Sequence, residues 1–105
     1  MYESKAAFFR VLASYWRLRI LDELRAGPVS VRDLRLHLGV EQATLSQHLA
    51  ILRAHDLVQT ERRGTVVMYE ISHPAVWEIL DAARLLFDSQ LGALQTALKT
   101  LGTRA

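Results

Sequence analysis

A chain of 105 residues, half of them hydrophobic and 23% charged, has the length of one domain and too much apolar content to be disordered. Its formal charge of +2 and pI of 9.4 make the basicity mild, so its distribution matters more than its sum, and so small a core gains from association with another subunit. The absence of cysteine excludes disulfides, thiolate metal ligation and thiol redox sensing; no apolar run reaches the roughly 18 residues of a membrane span, and a start containing Glu3 lacks a signal-peptide layout, so a cytoplasmic location is expected.

Residues 2–14 set Ala6, Phe8, Phe9, Leu12 and Ala13 among Lys5 and Arg10, the pattern of an amphipathic helix. Residues 16–26 place Leu18, Ile20, Leu21 and Leu24 at helical spacing, and Gly27-Pro28 stops that helix. Ser30-Val31-Arg32-Asp33 has a capping-box layout, with the serine covering orphan amides. The short helix it opens buries Val31, Leu34 and Leu38. Gly39 then supplies the left-handed residue that closes a short helix.

A second helix runs from about Gln42 to His55. Leu45, Leu49 and Leu52 form one narrow stripe on it, because successive side chains advance by about 100°. The opposite side presents Ala43, Thr44, Gln47 and Ala50, with Ser46 on its border. Small residues there admit another surface closely, and the amide and hydroxyls can hydrogen-bond it. Residues 57–63 and 65–71 alternate as strands, with Val67, Tyr69 and Ile71 on one face and Val66, Met68 and Glu70 on the other. Arg63-Gly64 hinges them into a hairpin, glycine providing the positive φ of a tight turn.

Ser72-His73-Pro74 opens the last helix, proline being suited to a first turn. From Val76 the apolar positions step by three and four to Leu101. A helix from Pro74 to Leu101 is roughly 40 Å long, too long for a chain of this size to cover alone. There are no internal repeats or linkers.

This order is that of a mainly α, winged helix-turn-helix domain: α-α-α-α-β-β-α with a two-stranded hairpin wing. The sequence resembles the ArsR/SmtB family of bacterial transcription regulators over nearly its whole length. The resemblance is carried by Arg17-Leu18-Arg19-Ile20-Leu21-Asp22-Glu23-Leu24, Val31-Arg32-Asp33-Leu34, Thr44-Leu45-Ser46-Gln47-His48-Leu49, Leu52 with Leu57-Val58, and Tyr69. Each match alone is weak; their order and spacing make the signal specific. The resemblance implies a homodimer packed through the first and last helices that binds double-stranded operator DNA, represses transcription and is released by an inducer. Residues 1–105 then form a single DNA-binding domain with 1–14 and 74–101 as a helical dimerisation layer. Phe8, Leu12, Leu80, Ala83, Phe87, Leu91, Leu94 and Leu98 are its expected interface.

Three departures carry information. The family often has Asp-Pro before the second helix, where this chain has Ser14-Tyr15-Trp16; the two aromatics either pack or line a small pocket for an effector. The reading helix commonly starts from serine, here Glu41, a carboxylate that suits the helix dipole but repels phosphate. The family's metal-sensing signatures are missing: Val29-Ser30-Val31-Arg32-Asp33 has no cysteine pair, and the last helix has no Asp-x-His followed by a second histidine pair.

Gln47 is the candidate base reader, since its amide pairs bidentately with adenine N6 and N7; the plainer alternative is a solvated glutamine. Thr44 and Ser46 accompany it as donors to phosphate or contacts to a thymine methyl, Ala43 gives room, and Gln42 belongs to the same DNA-binding set. His48, beside the apolar stripe, either fixes the helix to its neighbour or offers a ring nitrogen to phosphate. Arg62, Arg63 and Thr65 at the wing tip suit a backbone or minor-groove clamp. No cofactor is expected. His37, His48, His55 and His73 lack close co-ligands, and the alternative is an inter-subunit nitrogen/oxygen site for Ni²⁺ or Zn²⁺, with His73 beside Glu3, Glu78 or Asp81. No phosphate loop or nucleophile elbow points to an enzyme. The rival class is a winged-helix protein–protein module, against which the polar residues at 42–48 speak. A small-molecule or protein effector remains open.

Overall fold

Local sequence chemistry sets where each element begins and ends. The computed structural model describes residues 2–104. The elements are α1 (Tyr2–Leu12), α2 (Tyr15–Glu23) with a 3₁₀ turn (Leu24–Ala26), β1 (Val29–Ser30), α3 (Val31–Leu38), α4 (Gln42–Ala54), β2 (Val58–Arg63), β3 (Val66–Ile71) and α5 (Ala75–Arg104). Ser14 starts α2, its hydroxyl accepting from the Arg17 amide at 3.4 Å, so it supplies a cap without the family's Asp-Pro. The helix expected over 16–26 is shorter, because its end tightens into the 3₁₀ turn before Gly27 at φ 130°. Ser30 caps α3 by accepting from the Asp33 amide at 3.1 Å. Gly39, at φ 63°, donates back to the Arg35 carbonyl at 2.9 Å and frees the chain to turn into α4.

The expected two-stranded hairpin wing, β2 and β3, is present, and the short β1 joins it in a three-stranded antiparallel sheet in the order β1-β3-β2. Val29 pairs with Tyr69 and Ser30 with Met68. A two-residue strand has no periodicity to detect and exists only through its partner. Across the hairpin Arg63 faces Val66, leaving Gly64-Thr65 as the loop. Gly64 has φ 64°, and no non-glycine residue there has positive φ, which suits a turn with glycine at its first central position. The strands therefore begin at Val58 and Val66, one residue later than the alternation suggests.

In the unit that ends at Pro74, the core joins Ile20, Leu21 and Leu24 of the second helical segment to Leu34 and Leu38 of α3 and to Leu45, Leu49 and Leu52 of α4; all are at most 5% exposed. Leu57 and Val58 close it beneath the sheet. Val31, expected in the core, is only half-buried, since it opens α3 at the sheet edge. On α1 the inward side is Phe8, Val11 and Leu12, while Tyr2 and Phe9 are exposed. Leu12 at 6% exposure thus has little surface left for another subunit.

α5 is a second unit. Its 30 residues span about 45 Å, and Leu85, Leu86, Phe87, Leu91, Leu94, Leu98 and Leu101 are all exposed, as is Ala83; Leu80 is half-buried. No described helix is long and apolar enough to cross a membrane.

The end of α4 carries the one non-glycine residue with positive φ among those described, Asp56 at φ 58°. The Asp56 amide donates to the Arg53 carbonyl and the Leu57 amide to the Leu52 carbonyl, both at 3.0 Å. This is the paired Schellman pattern, and Leu52 and Leu57, the two positions that commonly meet in it, are both buried. Glycine is the usual residue there because a side chain in the left-handed region costs about 1 kcal/mol or more. Asp56→Gly is expected to raise stability by about 0.5–1 kcal/mol, read as a higher urea midpoint at unchanged slope.

Candidate nucleic-acid interface

α4 is held from one side and open on the other. Leu45, Leu49 and Leu52 are at most 2% exposed, and burying each contributes about 1.5–3 kcal/mol. That anchoring leaves Gln42, Ala43, Ser46, Gln47 and Ala50 exposed and Thr44 half-buried. The sequence-derived reading face is therefore one continuous strip of small and polar side chains. Glu41 precedes the helix without a side-chain capping bond, so its first-turn amides keep their positive end toward solvent.

The flanks of this strip are cationic. Arg35 on α3 reaches Gln42, Nη1 donating to Oε1 at 3.4 Å. Arg32 stands exposed on the same helix, beside Thr65, Val66 and Val67 of the wing. Beyond the C-terminal half of the strip lies a cleft of about 400 Å³ between α4 and β3, lined by Ser46, Ala50, Arg53 and Tyr69. Arg32, Arg35 and Arg53 were not singled out by sequence reasoning. Their signal was present: Leu34 and Leu38 face inward on α3, which turns positions 32 and 35 outward.

The wing places its two arginines differently. Side chains alternate across a strand, so Arg62, opposite Val67, shares the face of buried Val58 and of Tyr69, which lines the cleft with α4. Arg63 lies on the other face, its Nε–H donating to Glu61 Oε1 at 3.4 Å. Both are exposed, as is Thr65. Arg62 is therefore the wing cation on the side of α4.

His48 is half-buried at the border of the strip. Its Nδ1 lies 3.1 Å from Arg17 Nη1. A guanidinium only donates, so Nδ1 accepts and the neutral ring carries its proton on Nε2. Burial, and then the Arg17 charge, push the His48 pKa below its ordinary value. The other histidines go to different tasks. His37 Nδ1 pairs with Glu23 at 3.0 Å, and His55 is the cap residue of α4. Among the described residues no three His, Cys, Asp or Glu side chains gather into a group that could hold a metal ion. Tyr15 and Trp16 meet edge to face at 5.0 Å. Arg19 lies over both rings, at 5.6 and 5.8 Å, and bonds the Tyr15 hydroxyl at 3.0 Å. The aromatic pair is a surface cluster in which the Tyr15 hydroxyl is hydrogen-bonded.

Comparison with known proteins places the chain in a family. The defining pattern of the bacterial regulatory protein arsR family matches residues 16–60, which run from α2 through the first half of β2. The chain is 37% identical over 93 residues to the nodulation protein NolR of Rhizobium meliloti, covering 89% of this chain and 76% of that protein. Its fold is similar to the crystal structure of Mycobacterium tuberculosis Rv0081, with a TM-score of 0.81, 37% identity, and coverage of 87% and 92% of the two chains. It is also similar, with a TM-score of 0.76, to a homodimeric winged helix-turn-helix DNA-binding domain from Mycobacterium bovis. That pair is 29% identical, with 85% and 82% of the chains covered.

The depressed pKa of His48 makes stability depend on pH. The unfolded chain takes up a proton near pH 6.5 while the folded chain resists it, so the unfolded state binds more protons in that window and stability falls as pH drops below about 6.5. Above it both states are neutral at this residue and the effect vanishes. Urea unfolding from pH 7.5 down to 5.5 is expected to show a falling midpoint, with a shallower fall in His48→Gln.

Proposed function

Because the chain belongs to the arsR family of bacterial regulatory proteins, and is thereby a DNA-binding transcriptional regulator rather than an enzyme, we propose that it binds an inverted-repeat operator as a homodimer and represses transcription. α4 enters the major groove with Ala43, Thr44, Ser46 and Gln47 toward the base edges, Gln47 reading adenine. Gln42, held by Arg35, and His48 contact the backbone at the two sides of that helix. Arg62 and Thr65 of the wing grip the neighbouring edge of the duplex, and Arg63 adds to the local positive potential. The observation that carries this reading is the open strip on α4: it is pinned from beneath by three buried leucines and bordered by arginines of α3 and the wing.

The second copy is supplied by the apolar face of α5. Phe87, Leu91, Leu94 and Leu98 are 42–62% exposed in one chain, and covering such side chains contributes about 1.5–3 kcal/mol each. Ala83 gives room for close approach. α1 contributes through its outward residues, Phe9 above all, with Phe8 partly available; Leu12 is committed to the interior. A similar domain is described as homodimeric, in line with this arrangement. The two reading helices then meet half-sites whose centres lie roughly 34–36 Å apart. Repression follows from occupancy: a dimer seated across a promoter excludes polymerase from the same duplex. Its signal is an effector that works without thiol chemistry, since no cysteine is present.

Gln47→Ala is expected to weaken operator binding by about 1–3 kcal/mol and to relax preference at one symmetric base position. Arg62→Ala should weaken specific and random duplexes alike and flatten the salt dependence by roughly one unit, with Arg63→Ala the milder of the two. A Gln47→Ala protein with unchanged affinity and preference would refute this docking of α4. For assembly, Leu94→Glu is expected to yield monomers with lost operator affinity; sedimentation showing wild-type monomers at micromolar concentration contradicts the dimer.

A further inference from the structure

We propose that Arg17 is a positioning residue for DNA binding: its guanidinium joins the last turn of α1 to His48 on α4 and holds that imidazole as the Nε2–H tautomer that donates to a DNA phosphate. The inference rests on the docking of α4 given above.

Among the described residues, each hydrogen bond of the Arg17 side chain goes to a neutral acceptor. Nε–H donates to the Val11 carbonyl at 2.6 Å, and Nη2 to the Arg10 carbonyl at 3.4 Å. Nη1 donates to His48 Nδ1 at 3.1 Å. The two carbonyls belong to the end of α1, where carbonyls lack intrahelical donors and the helix dipole is negative. The guanidinium thus closes α1 with two of its edges and turns the third toward the reading helix, 31 residues away in sequence. A lysine cannot do this, because one ammonium does not span three acceptors held in a planar fork.

The consequence for His48 is chemical. With Nδ1 engaged as an acceptor, the ring proton stays on Nε2, the nitrogen left to donate. Partial burial, and then the adjacent Arg17 charge, push the His48 pKa down, and with Nδ1 occupied as an acceptor its bond to phosphate is that of a neutral donor with the positive charge of Arg17 behind it. Ring orientation, tautomer and the end of α1 are thereby set by one side chain. Movement of the last turn of α1 is transmitted to the phosphate contact by a direct route.

The test uses the whole protein and a labelled duplex of random sequence about three helical turns long, at low salt, since phosphate contacts do not depend on sequence. Nitrogen-15 NMR of the wild-type histidines at pH 8 is expected to show His48 with Nε2 protonated and Nδ1 bare. In Arg17→Met the ring relaxes from a single tautomer to the mixture of an unconstrained histidine, in which the Nδ1–H form is also populated, duplex affinity falls about tenfold, and Arg17→Lys restores neither. His48→Asn keeps an acceptor for Arg17 but has no group in place of Nε2–H. It should lose affinity by a similar factor, and adding Arg17→Met to it should change little further. Should Arg17→Met fail to fold, the wild-type spectrum and His48→Asn still decide. A wild-type His48 protonated on Nδ1, or His48→Asn binding as tightly as wild type, overturns the role of Arg17 alone. A wild-type protein that binds no duplex overturns the docking of α4 and this inference with it.

Discussion

The seating of α4 on three leucines is the constraint from which the rest follows. Leu45, Leu49 and Leu52 fix the rotation of a 13-residue helix, and fixing the rotation decides which side chains can meet another surface. α2, which packs against both α4 and α3, carries Ile20 and Leu21, and α3 carries Leu34, all fully buried. A cavity at any of them would cost about 2–5 kcal/mol and would also loosen the aim of the reading strip. In the proposed docking, stability and recognition are therefore carried by opposite faces of the same helix.

The ends of α4 extend this control to the flanks. At its start, the left-handed Gly39 brings Arg35 close enough to hold Gln42. At its end, Asp56 accepts an unfavourable left-handed conformation so that Leu57 and Val58 enter the core and β2 leaves in the right direction. The Ser72 amide then donates to the Leu57 carbonyl at 3.0 Å, tying the exit of β3 to the entry of β2. The wing is thus clamped at its base, while residues 61–66 around its tip are exposed. A rigid base and an open tip suit a hairpin that grips a flexible polyanion.

α1 and α5 present apolar surface of another kind. Exposed leucines repeated along α5 exceed what a monomeric soluble domain usually shows, and a chain of this size has little else with which to cover them. In the proposed dimer that surface becomes core. The Arg17 bridge connects the end of α1 to His48 on α4, so under the proposed function the layer that pairs two copies and the layer that meets DNA need not act independently.

Periodicity and end chemistry made most elements legible in the sequence. The leucine stripe of α4, the Ser30 cap, the turn at Gly39 and the hinge at Gly64 all act through neighbours within a few residues, so local spacing reports them directly. The outward placement of Gln47 followed from the same rule. What the tertiary structure decided are the contacts between distant positions and the conformations they impose. β1 exists only because Tyr69 and Met68 lie across from it. The inward turn of Leu12 and the outward turn of Phe9 depend on which face of α1 meets the core. Arg62 and Arg63, adjacent in sequence, part to opposite faces once the hairpin register is fixed. The role of His48 waits on an arginine 31 residues earlier, because a side chain that reaches across a fold leaves no periodic mark on the chain that carries it.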